Sequence, residues 1–182
     1  MIEAEFRKFI SPMTRRAYIS CIIVVLFTAM MVAFMGVQAL FLLALFGLLF
    51  IRPWCTYRKF LNEHMQQGDL EAISADFNAA RPWLNGAVRT GQKYLYCRGQ
   101  AFLYTYPDIL NVYEHDFSMA FISVEKGLCA VIRGGRRVTL CNIKTTLKQN
   151  PEAMELLKEL LARNPSMTFG YQNSKAAAQK KT

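Results

Sequence analysis

The chain has little of the chemistry on which enzymes usually depend. Its 182 residues include two histidines, His64 and His115, and neither stands at the spacing of a zinc or hydrolase motif. His115 lies in the charged run Glu114-His115-Asp116, which we interpret as the solvated end of a strand. A Walker phosphate loop, a glycine-rich dinucleotide turn and a Gly-x-Ser-x-Gly elbow are also missing from the sequence. We therefore predict no catalytic, cofactor or metal site, and we predict that the protein is not an enzyme.

Cysteines at paired spacing are missing as well. The sequence has an odd number of them, and no two stand at a metal-binding spacing: Cys21, Cys55, Cys97, Cys129 and Cys141. This pattern argues against a disulfide framework or a zinc site. It favours reduced thiols that fill small apolar positions.

Charge is absent from one long stretch. The 35 residues from Ala17 to Ile51 carry no charged side chain. As one helix they would reach roughly 52 Å, against a hydrocarbon core of about 30 Å. Two crossings fit better, with a turn near Gly36, so the sequence predicts a transmembrane helical hairpin over residues 17–52, with spans at about 17–35 and 38–52.

The residues beside this stretch orient the predicted hairpin. Arg15 and Arg16 precede it, and Arg52, Arg58 and Lys59 follow it, while the turn carries no basic residue. Short basic flanks stay on the cytoplasmic side of a bacterial inner membrane, so we expect both termini to be cytoplasmic. The lipid bilayer is then the first predicted partner. A single long tilted helix, the alternative, would place one basic flank outside.

The net charge of +9 is unevenly distributed along the chain. The arm at residues 1–16, the segment after the hairpin and the tail are basic, but residues 60–86 are acidic overall. Basic residues grouped beside a membrane mostly reflect topology and attraction to anionic lipid. We therefore expect no general nucleic-acid surface.

Two helices and a sheet are predicted after the hairpin. At residues 53–86, Gly68 ends a first helix, Asp69 begins a second, and Pro82 stops it. Short aromatic and β-branched runs then follow, divided by turns at Lys126-Gly127 and at Gly134-Gly135, the latter a two-residue hairpin turn. Asn150-Pro151-Glu152 begins a last amphipathic helix with an apolar face of Met154, Leu157, Leu160 and Leu161.

These elements predict an α+β cytoplasmic domain over residues 87–172, followed by a polar, disordered tail at 173–182. About seven antiparallel strands, as an open sheet or a barrel, and a carboxy-terminal helix follow the order of pleckstrin-homology-like domains. The segment from 68 to 171 also resembles a family of uncharacterised bacterial two-pass membrane proteins. The matching pieces lie at 68–80, 89–96, 106–115, 139–141 and 163–171. The resemblance implies a topology and no activity.

One group of side chains remains as a candidate site. Arg133, Arg136 and Arg137 surround the predicted Gly134-Gly135 turn, and guanidinium groups match phosphate oxygens. They are a candidate contact for anionic lipid, although charged hairpin tips often serve solubility alone.

We therefore predict a membrane-anchored binding or scaffold module that presents its domain to a protein partner or to anionic lipid. The alternative is an accessory subunit of a membrane enzyme or transporter. The identity of the partner and the oligomeric state stay open.

Overall fold

The computed structural model describes residues 2–12, 22–23, 25–27, 29–30, 39–119, 122–143 and 145–171. The chain divides into two compact units. Unit 1 contains Met1–Ser74 together with Gly99–Phe102, and unit 2 contains Ala75–Arg98 and Leu103–Thr182.

Unit 1 contains helix α1 (Ile2–Ile10) and the longer helix α2 (Ala39–Gln67). Phe6, Phe9 and Ile10 of α1 are buried, and the Phe6 ring lies 6.5 Å from that of Phe60 in α2, measured between centroids. The hydroxyl of Tyr57 in α2 donates to a backbone carbonyl of α1 at 3.4 Å. The apolar side of α1 is therefore covered by α2.

The predicted membrane hairpin is wrong. No helix among the described residues is long and apolar enough to cross a membrane. In α2, the uncharged residues 39–51 precede Arg52 and would extend about 20 Å, short of a hydrocarbon core of about 30 Å. The helix then continues through Pro53 to Gln67 with polar side chains. Most of the predicted first span, 17–35, lies outside the described residues. The assignment to multi-pass membrane proteins depended on the hairpin and is therefore wrong as well.

Helix α3 (Leu70–Ala79) follows α2 and crosses from unit 1 into unit 2. Gly68, with φ of +70°, ends α2, and α3 stops before Pro82, as predicted. Unit 2 continues with these elements: β1 (Arg81–Trp83), β2 (Val88–Thr90), β3 (Tyr94–Cys97), β4 (Tyr104–Thr105), β5 (Ile109–Met119), β6 (Ile122–Ile132), β7 (Arg137–Ile143), α4 (Pro151–Arg163) and β8 (Thr168–Phe169).

The strands of unit 2 form two sheets of four. Sheet A has the order β1-β2-β3-β4 and is antiparallel throughout. Sheet B has the order β7-β6-β5-β8, in which β8 runs parallel to β5 and the other pairs are antiparallel. The chain therefore returns after α4 to add a strand at the edge of sheet B.

One apolar core joins the two sheets to α4. It includes Val88 and Leu95 of sheet A, Val112 and Leu128 of sheet B, and Leu156 of α4, all fully buried. The side chain of Asn150 accepts from the Ala153 backbone N–H at 3.1 Å, so the predicted helix cap is confirmed. Leu157 is buried in this core and Leu161 packs against it.

The predicted fold of about seven strands in one sheet or barrel is also wrong, because the described residues of unit 2 form eight strands in two separate sheets. Two local features explain the difference. Asn85 and Gly86 have positive φ and form a tight turn between β1 and β2. This turn was not predicted from the sequence. Lys126-Gly127 was interpreted as a turn but lies within the continuous strand β6. The Gly134-Gly135 hairpin turn between β6 and β7 is confirmed.

Candidate protein-binding surface

Arg133, the first of the three predicted site arginines, is bound to the preceding loop. Its Nε lies 3.2 Å from the Asp108 Oδ1 atom, and its backbone N–H donates to the Asp108 carbonyl at 2.8 Å. The Asp108 carboxylate also accepts from the Thr105 hydroxyl. Arg133 therefore holds the hairpin turn against the segment between β4 and β5.

The other two arginines lie beside tyrosines of different apolar clusters. Burial raises the pKa of Tyr104, and a hydrogen bond from Arg136 partly offsets the rise. Burial also raises the pKa of Tyr113, and the charge of Arg137 partly offsets that rise. Tyr104 belongs to the core that joins both sheets, whereas Tyr113 belongs to a separate cluster. The three guanidinium groups therefore do not converge, and their contact with anionic lipid stays a prediction.

Three aromatic side chains lie close together where β5 meets β8, and we call them the aromatic corner: Tyr113, His115 and Tyr171. The Tyr113 ring stands edge-on to the other two rings, 6.3 Å from His115 and 5.7 Å from Tyr171. The His115 and Tyr171 rings are nearly parallel, at 12°, with centroids 6.3 Å apart. These spacings lie in the range at which aromatic rings attract one another.

The short strand β8 brings Tyr171 to this corner. Asn111 on β5 is fully buried, and its Nδ2 donates to the Thr168 hydroxyl at 2.8 Å. The Gly170 N–H donates to the Val112 carbonyl at 3.0 Å, with φ of +112° at Gly170. Because this φ favours glycine, Gly170 lets the chain turn while β8 stays paired with β5.

The approach to β8 is fixed by Asn164 at the end of α4. This buried side chain donates through Nδ2 to the carbonyls of Tyr106 at 2.8 Å and Ile109 at 2.9 Å. Its Oδ1 accepts from the Ser166 hydroxyl at 2.6 Å. Met167 is then buried in the core, so the residues before β8 are held at both ends.

Phe169 and Tyr171 are 43% and 47% exposed, whereas Tyr113 between the strands is 3% exposed. The aromatic corner therefore has a buried floor and accessible rings above it. Exposed aromatic rings on a fixed backbone are typical of contact surfaces, because they bury much apolar area at small entropic cost.

A second polar cluster surrounds Gly91 and has a structural role. The Asp76 carboxylate accepts from the Gln92 N–H at 2.7 Å and from the Tyr96 hydroxyl at 2.8 Å. Arg163 donates to the Gly91 carbonyl at 2.5 Å and to Glu159 at 2.8 Å. These bonds connect α3, the turn between β2 and β3, and α4, and each polar group named is used within the cluster.

Among the other candidates for chemistry, His64 is hydrogen-bonded, Cys97, Cys129 and Cys141 are buried, and Cys55 on α2 is exposed. His64 Nδ1 bonds to the Asp69 carboxylate at 2.9 Å, which joins the end of α2 to the start of α3. Burial raises the pKa of Cys97, and it raises that of Cys141 to about 12, so these thiols are poor nucleophiles at neutral pH. Within the described ranges, no group of three or more His, Cys, Asp or Glu side chains could hold a metal ion.

Sequence reasoning missed the aromatic corner. His115 was interpreted as part of the solvated end of a strand. The available signal was the alternation in Tyr113-Glu114-His115, which puts two aromatic residues on one face of an extended chain. Tyr171 gave no such signal, because the chain turns at Gly170 after β8. The sequence could not show that the two segments are neighbours.

No protein-family model, curated protein or solved structure matches this chain.

Proposed function

We propose that this protein is a binding module whose unit 2 receives a protein partner at the aromatic corner. The exposure of Tyr171 directly after β8, beside the exposed Phe169 that ends this strand, supports this function most strongly. Their side chains leave apolar area in water at the edge of sheet B. Covering them by a partner would remove that area from water.

The surface is suited to a partner rather than to a reaction. Its rings lie on β5 and directly after β8, and backbone hydrogen bonds together with the buried Asn111 and Asn164 hold these two strands in place. A contact surface on rigid elements loses little conformational entropy when a partner binds, which favours affinity.

Site-specific photocrosslinking tests the proposal. A photoreactive phenylalanine derivative replaces Phe169 in the full chain in its native cells, and the same residue replaces Lys158, exposed on α4, as the control. We expect a discrete adduct with one protein from position 169 and none from position 158. The purified partner should then bind Tyr171→Ala at least about tenfold more weakly than wild type, and Lys158→Ala equally well. Equal adducts at both positions, or unchanged binding by Tyr171→Ala, would overturn the proposal.

A second candidate function rests on a different observation. The described residues between 22 and 30 are helical, and their large apolar side chains are 50–65% exposed: Ile22, Ile23, Val25, Leu26, Phe27 and Met30. Such a surface favours an accessory subunit that is covered by apolar surface of a larger assembly. Changing Ile22, Leu26 and Met30 to Gln should then separate the protein from the assembly in size-exclusion chromatography of native extracts. Unchanged co-elution would exclude this alternative.

A further inference from the structure

We propose that the partner binds as an extended strand that pairs with β5 and lengthens sheet B. It pairs with residues 113–119, the part of β5 that continues beyond β8, which we call the open edge. This inference rests on the proposed function and specifies how the bound segment is recognised. It commits to an extended segment of a different protein as the occupant.

Strand β5 is much longer than the strand that covers its edge. It has 11 residues, whereas β8 pairs with it only at Asn111 and Val112. In the described part of the chain, the Gly170 N–H donates the last backbone hydrogen bond on this side of β5, to the Val112 carbonyl at 3.0 Å. The chain then turns at the positive φ of Gly170, and the open edge lies past this point.

The bond to Val112 shows which backbone groups face the open edge. In a strand, the N–H and C=O of one residue point to the same side, and the side alternates from one residue to the next. The pairing of β5 with β6 has no irregularity between Val112 and Phe117, so the alternation is unbroken there. Since the Val112 carbonyl points towards β8, the N–H and C=O groups of Glu114 and Asp116 point to the same side.

These backbone groups are free to pair with another chain. Among the described residues, β8 is the only strand on this side of β5, and it reaches neither Glu114 nor Asp116. The carboxylates of both residues are occupied by Lys126, at 3.4 Å and 3.2 Å. Two donors and two acceptors in a row, at the spacing of alternate strand residues, match the backbone of an extended segment. The edge therefore selects an extended partner by its main chain.

A second copy of this chain fits the open edge poorly. Two copies of β5 that paired antiparallel about residues 114–116 would place an acidic residue of one copy opposite an acidic residue of the other. Like charges directly opposite each other destabilise a pair of strands. A segment of a different protein, without an acidic residue at that position, avoids this repulsion.

The open edge is continuous with the aromatic corner. His115 lies between Glu114 and Asp116, and its side chain alternates onto the other face of β5. The Tyr171 ring lies nearly parallel to the His115 ring and is 47% exposed. Every second side chain of an added strand would lie on this face, beside His115. The partner therefore covers the exposed ring while its backbone pairs with β5.

Removing one backbone donor tests the pairing. Asp116→Pro removes the N–H that faces the open edge, and Asp116→Ala is the matched control, because it removes the same carboxylate and keeps the N–H. Both full-length variants are titrated with a synthetic peptide that spans the partner segment crosslinked from position 169. We expect Asp116→Pro to bind this peptide at least about tenfold more weakly than Asp116→Ala does, and Asp116→Ala to bind as wild type does.

Hydrogen exchange followed by NMR gives a second measurement, which needs no variant. In the wild-type chain, the amide protons of Glu114 and Asp116 should exchange at least about tenfold more slowly once the peptide is bound. The amide protons of Tyr113 and His115 are the internal control, since they face β6 in the free protein and should change little.

Three results would overturn the inference. Unchanged exchange at Glu114 and Asp116 in the bound state, or equal binding by the two Asp116 variants, would show that the peptide does not pair with β5. Slower exchange at these amides as the protein alone is concentrated would identify a second copy as the occupant. A peptide that binds without strand pairing and is weakened by Tyr171→Ala would leave the binding module in place. The absence of any adduct at position 169 would remove the proposed function together with this inference.

Discussion

At Gly91 in unit 2 there is no space for the Cβ atom of a larger residue. A Cβ atom there would lie within 3.0 Å of Asp76 and of the Tyr96 ring, and both side chains are held by their mutual hydrogen bond. The Gly91 carbonyl accepts hydrogen bonds from Tyr106 and Arg163, and moving the backbone away from the clash would break them. The glycine is therefore required by packing and not by its backbone conformation.

We predict that Gly91→Ala lowers the free energy of unfolding by about 2–3 kcal/mol, the upper part of the usual cost of overpacking. Urea denaturation of the full chain measures it. Gly134→Ala is the control, since a Cβ there meets nothing within 4 Å and only the positive φ opposes it, at about 1 kcal/mol. A Gly91 variant as stable as the Gly134 variant would contradict this account.

The buried thiols predict a loss of stability in mild alkali. Burial raises the pKa of Cys97, Cys129 and Cys141 in the folded protein, whereas unfolded thiols ionise near pH 8.5. The unfolded chain therefore binds fewer protons above that pH. This contribution to stability is complete below about pH 8.5 and is lost as pH rises towards the folded pKa values.

Between pH 8.5 and 10 each ionising thiol should lower the free energy of unfolding by up to about 1.4 kcal/mol per pH unit. Urea midpoints measured in reductant at several pH values test this prediction. Cys141→Ala removes a thiol whose pKa in the folded protein is about 12. The dependence of the free energy of unfolding on pH should therefore become about a third less steep. An unchanged slope would show that this thiol ionises equally in both states.

Helix α4 is the element on which the core of unit 2 depends most. Ala153, Leu156, Leu157 and Leu160 are buried between the two sheets, and Lys158 on the same helix is exposed. We predict that Leu157→Ala costs about 2–5 kcal/mol, while Lys158→Ala changes stability by less than about 0.5 kcal/mol. Thermal unfolding followed by circular dichroism measures both. A Leu157→Ala variant with the melting temperature of the wild type would contradict the placement of α4 in the core.

The sequence predicted elements whose signals are local. Asn150, Pro151 and Glu152 marked the start of α4, and Gly134-Gly135 marked a hairpin, because caps and tight turns depend on a few adjacent residues. The buried face of α4 was predicted too narrowly, without Ala153 and Leu156. Residues of both sheets share one core with this helix, and the arc of the helix buried there is wider than periodicity alone shows.

Longer-range features could not be predicted in this way. Strands β1 and β2 have three residues each, too few for an alternating pattern, and only Asn85-Gly86 indicated their turn. Gly127 was interpreted as part of a turn, but neighbouring strands on both sides hold it within β6. The aromatic corner depends on β8 pairing with β5, which joins residues 57 positions apart such as Asn111 and Thr168.

At the scale of the whole molecule, each unit contains one of the two tryptophans, Trp54 in unit 1 and Trp83 in unit 2. Trp83 is buried and its Nε1 donates to the Thr90 hydroxyl at 2.9 Å, so its fluorescence reports on the core of unit 2. Trp54→Phe and Trp83→Phe variants therefore provide one reporter for each unit.

We predict that adding Leu157→Ala lowers the melting temperature reported by Trp83 by several degrees for each kcal/mol lost. The transition reported by Trp54 should shift less, because Leu157 belongs to the core of unit 2. Fluorescence during thermal unfolding of the two single-tryptophan proteins measures both. Equal shifts of the two transitions would mean that the units unfold as one cooperative structure.

The Gly134-Gly135 turn offers a practical route for labelling this chain. The turn joins β6 to β7 at the edge of sheet B, and the space beside Gly134 is open. Exposed tips with small residues accept inserted sequence well. A short peptide tag or a fluorescent reporter inserted between the two glycines would leave every residue of β5, β8 and Tyr171 unchanged, so the protein could be isolated or imaged with the surface proposed to bind its partner unaltered in sequence.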